Sequence, residues 1–219
     1  MLSCRTNTAI TEDLVTPSPN TVQILALGDS YTIGHSVCET CRFPVQLQDS
    51  LEANSKLSTL KLIAKTGWTT SDLKTAIASE TIGDSYDIVT LLIGVNNQYQ
   101  HKPFSLYETE FPELVQTAIT AANGDKNKLV VISIPDYAFT PFGQSTGNAE
   151  TISEELDSYN AFAENYCQSE NITFLNITDI TREGLENPNL VASDGLHPSQ
   201  LAYSKFVERL LPIVLQKLE

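Results

Sequence analysis

Two spacings of apolar residues alternate along the chain. Short continuous apolar runs at residues 21–27, 60–64, 86–93, 128–134 and 173–176 read as buried strands, because a strand covered on both faces has no polar side. Between them lie longer stretches with apolar residues three or four apart, the spacing of one helix face. Val45, Leu47, Leu51 and Leu57 mark a helix over 43–57, and Leu73, Ala76 and Ile77 mark one over 69–82. Further helices are predicted over 105–122, 153–169 and 198–218. Asn123-Gly124-Asp125 stops the first of these, and Pro198 suits the opening turn of the last. Strands separated by helical crossovers predict a parallel sheet covered on both faces. Ligands of such sheets bind beyond the carboxyl ends of the strands. The segments that follow strands therefore carry the chemistry: Gly28-Asp29-Ser30-Tyr31, Thr66-Gly67-Trp68, Gly94-Val95-Asn96-Asn97 and the loop 135–150. Asp194-Gly195-Leu196-His197-Pro198, before the last helix, can return to the same edge.

Length and charge narrow the function. The 219 residues, 41% of them hydrophobic, suit one α/β domain over residues 21–219 behind a polar tether at 1–20. The net charge of −14 repels phosphate backbones and anionic membranes, so nucleic acid is not an expected partner. The apolar runs at 88–95 and 129–134 fall far short of a membrane span. The sequence carries no sign of oligomeric state.

The cysteines bear on compartment. Leu2-Ser3-Cys4 resembles the end of a bacterial lipoprotein signal, which makes a lipid on Cys4 the one expected membrane tether. That reading favours an exported, periplasmic or lipid-anchored protein; a cytoplasmic start with a frayed terminus is the alternative. Cys38 and Cys41 form a CxxC with no second pair to complete a zinc site. They are a local disulfide if the protein is exported and two reduced thiols if it is not. Cys167 falls on a helix and reads as a small buried hydrophobe. No P-loop, His-Glu-x-x-His or Gly-x-Gly-x-x-Gly occurs, so no metal, nucleotide or other cofactor is implied.

Acyl transfer to water needs a nucleophile, a base, an orienter for the base and donors for the oxyanion. Ser30 directly follows a strand and is expected at a helix N-terminus; read alone, such a segment is more often a turn with an N-cap serine. Of His35, His101 and His197, only His197 has a carboxylate at close spacing, Asp194, with Gly195 allowing the bend. His35 and His101 read as loop or surface residues. Gly67 can present a bare backbone N–H, and Asn96 a side-chain amide.

Taken in order, these segments resemble the four blocks of the SGNH hydrolases, the GDSL esterase/lipase family, over about residues 22–215. The resemblance implies a flavodoxin-like three-layer α/β/α sandwich with a five-stranded parallel sheet. It implies Ser30 as nucleophile, His197 as base and Asp194 as its partner. It also implies an oxyanion hole made by the Ser30 and Gly67 N–H groups and the Asn96 amide. Tyr31 stands where the family name places Leu. Without a Gly-x-Ser-x-Gly elbow, the sequence does not fit the α/β-hydrolase fold. The expected function is a serine esterase acting on a small-molecule or lipid ester, a short-chain acyl ester or a lysophospholipid. An acyltransferase or a non-catalytic binding protein is the alternative. Tyr31, Asn97, Tyr99, Tyr137, Phe139 and Phe142 are candidates for the substrate pocket.

Overall fold

Val22–Gly28, apolar except for Gln23, forms the strand β1. In the computed structural model, which describes residues 21–219, this strand lies inside the sheet rather than at its edge. The tether expected at residues 1–20 and the lipid expected on Cys4 lie outside the described residues. After β1 come the one-turn helix α1 (Ser30–Ile33), α2 (Phe43–Ala53), β2 (Ser58–Ala64), α3 (Thr70–Ser79) and β3 (Ile88–Leu92). Then follow α4 (Val95–Tyr99), α5 (Phe104–Ala121), β4 (Leu129–Ile132), α6 (Pro141–Ser145) and α7 (Ala149–Glu170). The chain ends with β5 (Thr173–Leu175), α8 (Thr178–Arg182) and α9 (Gln200–Lys217).

All strand pairs are parallel, in the order β2-β1-β3-β4-β5. The helices α2 and α9 pack together, while α3, α5 and α7 form a second packed group. That is the expected three-layer sandwich. Leu25, Leu27, Val89, Leu91, Val130 and Val131 are buried at its centre. The register is what places the site. Gly28 pairs with Ala64 on one side and with Leu92 on the other, so β1, β2 and β3 end level with one another. Connections leave β1 toward β2 and later return to β3, and this reversal opens a crevice at their carboxyl ends. Gly28 itself has no room for a side chain. A Cβ there would meet the Leu92 carbonyl at 2.4 Å and Thr32 Oγ1 at 2.1 Å, so the turn that carries Ser30 can press against β3 only with glycine at this position.

Several expected boundaries move. The helix expected to reach residue 57 stops at Ala53, and Leu57 is left exposed. The last helix starts at Gln200 with Ser199 as its cap; Pro198 instead pairs with Val191 in a two-stranded bridge. The loop expected over 135–150 contains a 3-10 turn at Tyr137–Phe139, then α6 and the start of α7. Cys167 is fully buried on α7, as expected.

Candidate active site

The polypeptide turns sharply after β1. The Asp29 carboxylate accepts the Tyr31 N–H at 3.0 Å and caps α1. Burial pushes the Asp29 carboxyl up to about 7, against that hydrogen bond. Ser30 is the first residue of α1, so its N–H has no acceptor within the helix. It is 4% exposed and lines an open cleft of about 240 Å³. Tyr31, Gly67, Asn96 and His197 line the same cleft, with Thr66, Val95 and Leu196 completing its floor and rim.

His197 is held by a short local structure. Asp194 Oδ1 accepts the backbone N–H groups of Leu196 and His197, both at 3.0 Å. Asp194 Oδ2 lies 2.6 Å from His197 Nδ1. A carboxylate only accepts, so Nδ1 carries the proton and Nε2 keeps its lone pair. Ser36 also donates to Asp194 Oδ2, at 2.6 Å. Burial by itself would raise the Asp194 pKa, but the hydrogen bonds from Ser36 and His197 outweigh it and hold the carboxyl well below the usual range. Burial lowers the His197 pKa; Asp194 opposes this without cancelling it, and His35 adds to it. Asp194 is therefore ionised and His197 neutral near pH 7. The Tyr31 ring meets the His197 ring edge-on, with centroids 5.8 Å apart.

The other two oxyanion candidates, Gly67 and Asn96, line the same cleft. Gly67 has φ +85°, a conformation that costs other residues energy. The Gly67–Trp68 segment is gripped by α4 and its cap: Asn96 Nδ2 donates to the Trp68 carbonyl at 3.0 Å and Gln100 Nε2 to the Gly67 carbonyl at 3.0 Å. An amide carries two N–H bonds, so Asn96 keeps one for a ligand.

The pocket candidates divide. Tyr31, Tyr99, Tyr137 and Phe142 line the cleft. Tyr99, Tyr137 and Phe142 form an aromatic triangle with centroids 6.1 to 6.4 Å apart. Asn97 does not line it. It is fully buried, accepting the Thr70 N–H at 2.9 Å and donating to Thr70 Oγ1 at 2.7 Å. Successive residues on a helix point about 100° apart, so Asn96 faces the cleft and Asn97 the interior. Phe139 also faces away: the Arg182 guanidinium lies 5.8 Å from its ring centroid. Sequence reading missed Ser36, which lies 158 residues from Asp194 and has no local pattern to mark it. It also missed Gln98, which accepts from the Tyr137 hydroxyl at 2.8 Å and donates to Glu155 at 2.7 Å. Cys38 and Cys41 are joined by a disulfide.

The sheet order and the cleft at its carboxyl edge define a flavodoxin-like enzyme fold of the SGNH type. The chain belongs to the GDSL-like lipase/acylhydrolase family, whose model matches residues 26–205, and it is an ester hydrolase. Its fold is similar to that of a lipase/acylhydrolase from Enterococcus faecalis, at 18% identity and a TM-score of 0.69 over 90% of this chain and 96% of that one. It is also similar to a variant of an acetyl xylan esterase from Geobacillus stearothermophilus, at 18% identity and a TM-score of 0.67 over 88% and 94%. A lipolytic G-D-S-L family protein from Veillonella parvula gives 14% identity and a TM-score of 0.67 over 88% and 97%. Comparison with curated proteins gives no match.

Proposed function

We propose that this esterase works through an acyl-enzyme on Ser30, with His197 as base and Asp194 as the carboxylate that orients it. The observation that carries this reading is the 2.6 Å contact of His197 Nδ1 with Asp194, beside a cleft that Ser30 also lines. Ser30 Oγ attacks the ester carbonyl and its proton passes to His197 Nε2. The carbonyl oxygen, now negative, takes hydrogen bonds from the Ser30 and Gly67 N–H groups and the Asn96 amide. The C–O bond to the alcohol breaks and His197 returns the proton to the leaving oxygen. Water then repeats the sequence on the acyl-enzyme and restores Ser30.

The substrate reading is a small acyl ester. A cleft of about 240 Å³ is below the roughly 300–1,000 Å³ of pockets for drug-sized ligands. The aromatic triangle supports an apolar acyl group at one end, and the acetyl esterase of similar fold supports a short one. The Cys38–Cys41 disulfide supports an oxidising compartment.

Hydrolysis of p-nitrophenyl esters from acetyl to dodecanoyl tests both halves. The rate is expected to peak among the short acyl groups, and Ser30→Ala to lose at least about 10⁴-fold in kcat. A rate that climbs to the longest chain overturns the substrate reading, and an active Ser30→Ala overturns the acyl-enzyme. Because burial lowers the His197 pKa, the base stays neutral below the ordinary imidazole value of 6.5. The acid limb of kcat/KM is therefore expected below that pH.

A further inference from the structure

The segment between α1 and α2 is anchored at both ends and exposed between them. At its start, the Gly34 and His35 N–H groups donate to the Ser30 carbonyl at 3.1 and 3.0 Å. At its end, Cys41 is buried, and Gln46 of α2 donates to its carbonyl. In between, His35, Ser36, Cys38, Glu39 and Thr40 are exposed, and only Val37 packs partly on the core. The Cys38–Cys41 disulfide carries the buried anchor forward to Cys38, two residues from Ser36. Ser36 in turn donates to Asp194 Oδ2 at 2.6 Å, the oxygen that also meets His197 Nδ1. We propose that this disulfide is a positioning device for the reaction: it holds Ser36 where its hydroxyl fixes the Asp194 carboxylate and, through it, the His197 ring, a role that rests on the reading of Asp194 and His197 as orienter and base.

Ser36 needs to be held. Its φ is +67°, in the left-handed region that residues with a Cβ avoid. An exposed serine released from its neighbours returns to the extended or right-handed region, and its hydroxyl then swings off Asp194. The other constraints on the segment are weak or local. The Val37 N–H reaches the Gly34 carbonyl at a long 3.3 Å, and the Cys41 N–H donates to the Cys38 carbonyl at 2.9 Å, inside the loop the disulfide closes. Closing that loop removes most of the conformations otherwise open to residues 38–41, so Cys38 takes a fixed place relative to buried Cys41. The same segment carries His35. Its ring lies beside that of His197, with centroids 4.6 Å apart, and its Nδ1 is 3.0 Å from Thr66 Oγ1. The closed loop thus borders the His197 side of the site at two points, one through Asp194 and one through the ring.

Opening the loop in two ways tests this. A water-soluble phosphine delivers two electrons to the S–S bond of the folded chain and leaves two thiols, while the phosphine takes up an oxygen from water. Cys38→Ser together with Cys41→Ser makes the opening permanent. Each should lower kcat for a p-nitrophenyl ester about fivefold, the loss that one hydrogen bond represents, with KM unchanged. Oxidised glutathione, which takes the two electrons back, should restore the reduced chain. In Ser36→Ala the same reduction should change kcat by less than about twofold, because the contact through which the disulfide acts is already gone. The proton resonance of the His197 Nδ1–H, read on Ser30→Ala without turnover, should move when the loop is opened. An unchanged kcat after reduction overturns the proposal. So does an equal loss in Ser36→Ala and in the intact chain, which would make the disulfide a brace for the fold alone. If Ser30→Ala itself hydrolyses the ester, the acyl-enzyme reading falls, and the resonance alone decides whether the disulfide orients His197.

Discussion

The two walls of the cleft are held in place by different means. On one wall, Ser30, Gly67 and Asn96 each stand within four residues of the end of β1, β2 or β3. Those strands end level because Gly28 pairs with both Ala64 and Leu92. On the aromatic wall, Tyr137 is held by Gln98, 39 residues away, and Gln98 by Glu155, 57 residues further. The Phe142 N–H donates to the Gly195 carbonyl at 2.9 Å, which ties that wall to the loop carrying Asp194 and His197. Ser30, Gly67 and Asn96 thus take their positions from the sheet, and the aromatic wall takes its position from side-chain contacts between distant segments. The aromatic wall can therefore be altered without moving Ser30, Gly67 and Asn96.

Asn96→Ala is the strongest way to sharpen that contrast. It removes the proposed oxyanion donor and the clamp on the Trp68 carbonyl. A loss of about 10²–10³-fold in kcat with little change in KM is expected. A rise in KM with kcat intact would place Asn96 with the substrate wall instead.

Legibility in the sequence follows the same division. The five strands were readable because a buried strand is a continuous apolar run, and the long helices because their apolar residues repeat. The one-turn helices α1, α4, α6 and α8 were not readable, since four or five residues show no periodicity. That gap explains the misplacement of Asn97: read as loop, it seemed free to face the ligand beside Asn96, whereas α4 turns it inward onto Thr70. Phe139 failed for the same reason. The 3-10 turn at Tyr137–Phe139 sends Tyr137 to the cleft and Phe139 to Arg182. Asp194 and His197 were legible because their pairing is local, three residues apart. Ser36 was not, because a hydrogen bond across 158 residues leaves no mark on the spacing of either partner.

Ser36 supplies the next and smaller effect. It touches Asp194, whose loop is tied to the aromatic wall through Phe142 and Gly195. Ser36→Ala removes one of the two hydrogen bonds to Asp194 Oδ2 and leaves the His197 contact in place. One such bond nets about 1 kcal/mol, so kcat is expected to fall about fivefold. Restoration by Ser36→Asn, which tolerates the positive φ of 67° at this position and carries an amide donor, separates orientation of Asp194 from a general loosening of the loop. An unchanged kcat in Ser36→Ala would mean that the backbone N–H groups of Leu196 and His197 hold the carboxylate by themselves.

The smallest effect separates the two phenylalanines of the wall. Both are half-buried and lie three residues apart, yet only Phe142 lines the cleft. Phe142→Ala opens one corner of the aromatic triangle. It should raise KM for short acyl esters a few-fold, as loss of apolar contact worth about 1 kcal/mol implies, and shift preference toward longer chains. Phe139→Ala should leave the acyl-length profile unchanged and lower thermal stability slightly, through the lost contact with Arg182, worth about 0.5–1 kcal/mol at an exposed site. Matching acyl-length profiles for the two variants would break the assignment, because the ring at residue 142 would then act on the fold alone and the specificity wall would reduce to Tyr99 and Tyr137.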